Sequence, residues 1–350
     1  MSIKYKQYPP TLAATMRRVV QKRAEIKTAL DILALEIPAD KVAGPPFCIF
    51  NFITSVKEGY DVTLGFPITH VIETGNLKPQ LLPEMEVLSI IHRDSLEKLD
   101  ETVGAVFAYA KQYALISDEF YREVYLGEAD PDGPGTEVHF IVHNWNHKLT
   151  AGLERVLGPE ACETIMQGSE KLEIESGVDD RFEWVKGMLE RLGEVADEHQ
   201  KSDIVSGCAH VFPQSQIDKL TVVFREAKFR TGDPLQAVDA VITFMEEDPG
   251  WAGGGVRNGH TVYTGKKPRD PKAYAEAKTD LERRQAYCFC PLVRTKMDQN
   301  MPVDFCYCGS GWFRQQWEGA TGKPVTIEIV KSVLRGDEKC EFAIHLPEDL

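Results

Sequence analysis

Ile26, Ala29, Leu30 and Leu33 recur at helical spacing and predict a helix over Ala24–Leu35. On either side the chain reads as strands: Thr11–Arg17 after Pro9-Pro10, then Phe47–Phe52 and Tyr60–Phe66. The same order returns further along. Leu82-Pro83 precedes a strand over Glu86–Ile91, and Leu96–Tyr113 carries Leu99, Val103, Phe107 and Ala110 on one helical side. Strands over Phe120–Leu126 and Glu137–Val142 follow, and the offset between the copies stays near 73 to 76 residues. Residues 11–67 and 84–142 thus read as two copies of a βαββ unit. Antiparallel strands with both helices on one face give an α+β sandwich, and a groove between the halves is the natural place for a ligand.

From Lys148 the pattern turns helical, over Leu149–Leu157, Glu160–Leu172, Asp180–Leu192, Gln216–Ala227 and Leu235–Met245. A short strand over His260–Thr264 and a polar helix over Lys272–Arg284 come next, and strands over Pro324–Leu334 and Cys340–Leu346 close the chain. The expected fold class is α+β: a duplicated βαββ domain over residues 1–147, then a helical segment and a cysteine-rich α/β domain over 148–350.

At 350 residues the chain is long enough for two cores. A formal charge of −14 argues against a nucleic-acid partner, which needs a basic face to neutralise phosphates. No apolar run is long enough for a bilayer, and Met1–Pro10 lacks the apolar segment of a secretory leader. Eight cysteines without an export signal point to a reducing compartment, with the cytoplasm as the expected location.

Five of those cysteines crowd the last third. Cys288-Phe-Cys290 and Cys306-Tyr-Cys308 lie in aromatic-rich runs that look like strands, and Cys340 follows in Gly336-Asp-Glu-Lys-Cys340. In a strand each pair points two sulfurs to one face, so four thiols converge if the strands are neighbours. A zinc or iron held by Cys288, Cys290, Cys306 and Cys308, with Cys340 and Cys208 as further candidates, is one expectation. Two strand residues place sulfurs about 7 Å apart, too far for one zinc unless the backbone bends at Pro291 and Gly309. The alternatives are thiol chemistry near Arg294 or Lys296, and thiols that fill a core.

A second candidate site lies in the duplicated half. Tyr121, Glu123 and Tyr125 share one strand face, and the duplication maps them onto Cys48, Phe50 and Phe52. A carboxylate among four aromatic rings suits a cationic or planar ligand, through stacking, cation–π contact and charge neutralisation. Phe50, Phe52, Tyr121, Glu123 and Tyr125 are therefore the candidate ligand-binding residues, with Glu123 the one catalytic candidate. The alternative is that the rings are core and Glu123 faces solvent.

Two resemblances follow from these residues. The order Pro-Pro-strand-helix, Phe47–Phe52, Asp61-Val-Thr-Leu-Gly-Phe-Pro67, Leu82-Pro83 and Arg122-Glu-Val-Tyr-Leu126 resembles the GyrI-like, or AraC-type effector-binding, domain. That resemblance implies a binder of aromatic or cationic small molecules, and some members hydrolyse reactive electrophiles. The tail Phe305-Cys-Tyr-Cys-Gly-Ser-Gly-Trp312, Trp317-Glu-Gly319 and Gly336-Asp-Glu-Lys-Cys340-Glu-Phe342 is similar to L-2-amino-thiazoline-4-carboxylate hydrolase-like and 4-vinyl-reductase-type domains. It implies a second small-molecule unit whose cysteines hold metal or ligand. The expected function is small-molecule binding, with no membrane partner and homo-oligomerisation left open; the alternative is a hydrolase or a thiol- or metal-dependent enzyme.

Overall fold

The computed structural model describes residues 2–51, 59–72, 74–128, 133–143, 145–212, 214–247 and 254–350. The fold class is α+β, and the chain divides into two compact units, Met1–His143 and Asn144–Leu350.

The first unit carries β1 (Lys4–Tyr8), β2 (Thr11–Val20), α1 (Ala24–Ala34), β3 (Phe47–Phe50), β4 (Tyr60–Pro67) and β5 (Lys78–Leu82). The second copy continues with β6 (Met85–His92), α2 (Leu99–Gln112), β7 (Ser117–Leu126) and β8 (Gly135–Val142). All eight strands form one antiparallel sheet in the order β1-β6-β8-β7-β3-β4-β2-β5. Exchanging each strand for its counterpart in the other copy reverses this order onto itself, so a pseudo-twofold axis passes between β3 and β7. Two strands escape the sequence pattern. β1 and β5 each lead into one copy but pair with the other, β1 on β6 and β5 on β2.

Both helices cover the same sheet face. Ile26, Ala29, Leu30 and Leu33 of α1 pack with Cys48, Phe50, Val62 and Leu64. From α2, Thr102 bonds His92 at 2.8 Å and Phe107 lies 5.0 Å edge-on from Phe140. Cys48, Phe50, Tyr121, Glu123, Tyr125 and Phe140 all point to this face, because directly paired residues share a side.

The second unit is helical before it is mixed. Its elements are α3 (Trp145–Leu157), α4 (Pro159–Met166), α5 (Val178–Val195), α6 (Glu198–Ser206), α7 (Gln214–Thr231), α8 (Pro234–Glu247), β9 (Val256–Asn258) and β10 (Thr261–Gly265). There follow α9 (Pro271–Glu276), α10 (Asp280–Tyr287), α11 (Pro291–Arg294), α12 (Cys306–Thr321), β11 (Thr326–Lys331) and β12 (Glu341–His345). The four strands pair antiparallel in the order β11-β12-β10-β9. No described helix is long and apolar enough to cross a membrane.

The two cysteine pairs are not in strands. Cys288 ends α10 and Cys290 precedes α11, while Cys306 and Cys308 begin α12. Helical order prevails over the β-prone aromatics because Ser310, Phe313, Trp317 and Ala320 bury one helical stripe. Two glycines permit close approach: a Cβ on Gly311 would overlap the Ser206 carbonyl, and one on Gly319 would overlap Ile217. The expected polar helix over Lys272–Arg284 is also two helices, α9 and α10. Thr279 and Glu282 start the second with reciprocal hydrogen bonds, a capping box.

Candidate functional site

Glu123 sits at the centre of the sheet, and its side chain is fully buried. An ionised carboxylate there needs partners, and three residues supply them. Tyr125 donates its hydroxyl to Oε2 at 2.7 Å, and the Tyr121 hydroxyl stands 3.4 Å from Oε1. Arg23, at the N-cap of α1, pairs Nη1 with Oε1. Its Nη2 donates to the Tyr121 hydroxyl at 3.0 Å and to Asp100 Oδ1 of α2 at 2.8 Å. The guanidinium lies over the Phe50 ring, 5.1 Å from its centroid. Phe50 and Tyr121 stack in parallel at 4.5 Å, with Tyr60 edge-on to Phe50 at 5.8 Å and Phe107 edge-on to Tyr121 at 6.2 Å.

Glu123 therefore does not face solvent, and Phe50, Tyr121, Glu123 and Tyr125 are in contact; Phe52 lies outside the described residues. Arg23 and Asp100 complete the set and were not among the sequence candidates. A cation at a helix N-terminus opposes the helix dipole, so the position of Arg23 makes sense through Glu123 rather than through α1. Burial pushes the Glu123 carboxyl above its usual range, against the pull of Arg23 and of the Tyr125 hydroxyl. Burial also acts to lower Arg23, but Glu123, Tyr121 and Asp100 outweigh it and hold the guanidinium firmly charged.

The strand ladders correct the alignment of the two copies. β2–β4 matches β6–β8 at an offset of 74, Ala14↔Phe66 against Leu88↔Phe140. Cys48↔Leu64 then matches Glu123↔Val138, so the internal counterpart of Glu123 is Cys48, and that of Tyr125 is Phe50. Arg23 and Lys98 are counterparts too, each the N-cap of its helix. Lys98 finds no acid at Cys48 and pairs with Asp94 at 2.8 Å instead.

The opposite sheet face holds a separate polar network. Arg122 Nε donates to His139 Nδ1 at 3.2 Å, which leaves Nε2–H to face Glu137 Oε1 at 3.2 Å. Lys6 at 2.5 Å and Ser89 also bond Glu137. His139 is fully buried on a central strand.

In the second unit the cysteines share a neighbourhood without forming a shell. Residues two apart on a helix point about 200° apart, so Cys306 and Cys308 diverge. Cys306 Sγ lies 3.2 Å from Ser332 Oγ, which also bonds Cys340. Cys308 Sγ points to the Cys208 carbonyl at 3.6 Å. Electrostatic interactions link Cys288 with Cys290 and Cys340, and Cys290 with Cys308. Among the described residues, no three His, Cys, Asp or Glu side chains stand together as a group able to hold a metal ion. The thiols as placed do not fit the expected zinc or iron site. Burial pushes Cys288 up to about 12 and Cys290 up to about 11, and it raises Cys306, Cys308 and Cys340 as well. Lys266 interacts with Cys288, Cys290, Cys308 and Cys340, its Nζ 5.5 Å from the Phe289 ring centroid and 5.6 Å from that of Trp312, and Arg294 interacts with Cys288 and Cys290. Cys162 and Cys208 are core residues, and Asp337 shapes the turn before Cys340 by accepting the Ser332 N–H at 2.8 Å.

No protein-family model matches the chain, and no curated protein matches it. Among solved structures, the chain is similar to the C-terminal domain of EcmrR, with 16% identity over 40% of this chain and 96% of that one and a TM-score of 0.36. It is also similar to SAV2435 bound to tetraphenylphosphonium, with 12% identity over 42% and 97% and a TM-score of 0.31. A hydrolase from Listeria innocua is similar at 12% identity over 40% and 91%, with a TM-score of 0.29.

Proposed function

We propose that the first unit binds a cationic aromatic small molecule at Glu123, and that Arg23 occupies the cation position until the ligand takes it. The observation that carries this reading is the set of contacts made by Arg23. A planar cation lies on the Phe50 ring and donates to a fully buried carboxylate, and among the described residues its other acid partner is Asp100 at the surface. An aromatic cation entering from the Asp100 side would meet the same ring and the same carboxylate. Cation–π attraction and a desolvated carboxylate favour such a ligand over a neutral one of the same shape.

A hydrolase is the second reading, supported by Asp100 as another acid near Glu123. A general base must reach a water, whereas both Glu123 oxygens are engaged by tyrosine or arginine. Binding is therefore the reading these contacts favour. Titration calorimetry on the wild type and Glu123→Gln tests it, with tetraphenylphosphonium as the cationic probe and a neutral aromatic as control. The cation should lose more than about tenfold in affinity, roughly 1.4 kcal/mol, while the neutral compound is spared. Equal loss for both, or loss for neither, would reject the charge-based reading. Turnover of an electrophilic ester abolished in Glu123→Gln would favour the hydrolase.

A further inference from the structure

Arg269 and Arg294 line one cleft of about 540 Å³ in the second unit, together with Ala273, Ala277, Gln285 and Ala286. Among the described residues, neither guanidinium has a side-chain hydrogen bond or an ion pair. That is unexpected in a chain with 54 acidic residues against 40 Lys and Arg. The other charges on the wall do not neutralise them. Glu282 is taken up by the backbone N–H groups of Lys278 and Thr279 at 2.8 and 3.1 Å. Glu276 and Lys278 complete the charged lining and pair with neither arginine.

Both arginines stand on the wall of the same cleft. Burial lowers Arg294 first, and the like charge of Arg269 lowers it further. Each guanidinium, paired with neither glutamate of the wall, keeps its planar fork of N–H donors for bidentate oxyanion recognition. The methyl groups of Ala273, Ala277 and Ala286 add a small apolar wall beside them.

We infer that this cleft binds the oxyanion of a small molecule with a compact apolar body, a carboxylate or a phosphate ester, between Arg269 and Arg294. The site belongs to the second unit and does not depend on the reading of Glu123. Calorimetric titration of the full chain with benzoate and, separately, with inorganic phosphate distinguishes the two oxyanions. Variants Arg269→Gln and Arg294→Gln accompany the wild type, with Arg283→Gln as a control, since among the described residues the Arg283 side chain bonds only the exposed Asp280. The expected result is saturable binding of at least one anion, weakened at least about tenfold in both cleft variants and unchanged in the control. Arg294→Lys, which keeps charge but loses the fork, should also weaken it, and Arg269 is exposed enough that its variant tests the site even if Arg294→Gln fails to fold. No saturable binding of either anion by the wild type, or equal affinity across all variants, would overturn the inference.

Discussion

Cys48 and Glu123 face each other across β3 and β7, and they are counterparts in the two copies of the repeat. The pseudo-twofold axis therefore passes between a thiol and a carboxylate. Only one copy brings an acid to this position, and Arg23, rather than Lys98, reaches it. The floor of the sheet is symmetric in its strands, and the Glu123–Arg23 pair breaks that symmetry at its centre. Burial pushes the Cys48 thiol far up, with the neighbouring carboxylate adding to the effect, so Cys48 is a neutral neighbour of Glu123.

The network on the other face sets an acid limit to stability. Burial opposes ionisation of Glu137, but hydrogen bonds from His139, Lys6 and Ser89 hold its carboxyl well below the usual range. A depressed carboxyl contributes stability above its unfolded value, about 4.3, and loses it as pH falls toward the folded value. Burial likewise lowers His139, whose Nδ1 faces a permanent donor in Arg122, so acidification below about 6.5 costs stability there too. Glu137→Gln should be less stable than the wild type at pH 7, and the gap should narrow as pH falls. Urea midpoints by circular dichroism from pH 7 to 3 check this; a constant gap would contradict it.

Two glycines of α12 should respond in opposite ways. Gly311→Ala drives a methyl into the Ser206 carbonyl and should destabilise by about 1–3 kcal/mol. At Gly309 an added Cβ meets only Lys266 Nζ at 3.5 Å, so Gly309→Ala should stabilise by up to about 1 kcal/mol through helix propensity. Thermal unfolding of both variants decides, and equal shifts would show that α12 does not pack on α6 as described.

The cysteines should behave as protonated thiols. With Cys288 near 12 and Cys290 near 11, alkylation by iodoacetamide at pH 7 should be slow at both and should accelerate as pH rises toward 11. Peptide mass spectrometry reads the rates, and elemental analysis of the same sample should find substoichiometric zinc and iron. Rapid alkylation of one thiol at neutral pH, or one bound metal per chain, would show that the cluster is arranged differently in solution.

The sequence carried the first unit well because its strands and helices are amphipathic in the simple sense. Ile26, Ala29, Leu30 and Leu33 repeat at helical spacing and are the buried face of α1. β1 and β5 were missed because Lys4–Tyr8 and Lys78–Leu82 are short, polar edge strands whose order comes from the partner copy. Cys306–Thr321 misled because its buried stripe includes Ser310 and Gln316, and its glycines serve helix contact rather than turns. Arg23 left one faint trace, a basic residue where a helix start favours an acid. Its partner lies 100 residues away, and only the sheet order brings them together.

The displacement of Arg23 is the step on which the proposed function turns, and Arg23→Gln tests it. Removing one partner of a buried pair leaves Glu123 uncompensated, so the variant should be less stable without ligand, by roughly 3–5 kcal/mol if the carboxylate stays charged. A cationic ligand then restores the missing charge. The most direct measurement is the affinity for tetraphenylphosphonium by titration calorimetry, wild type against Arg23→Gln, with folding confirmed by near-ultraviolet circular dichroism. Tighter binding by the folded variant is the expected result; unchanged or weaker binding would contradict the claim that ligand and Arg23 compete for Glu123.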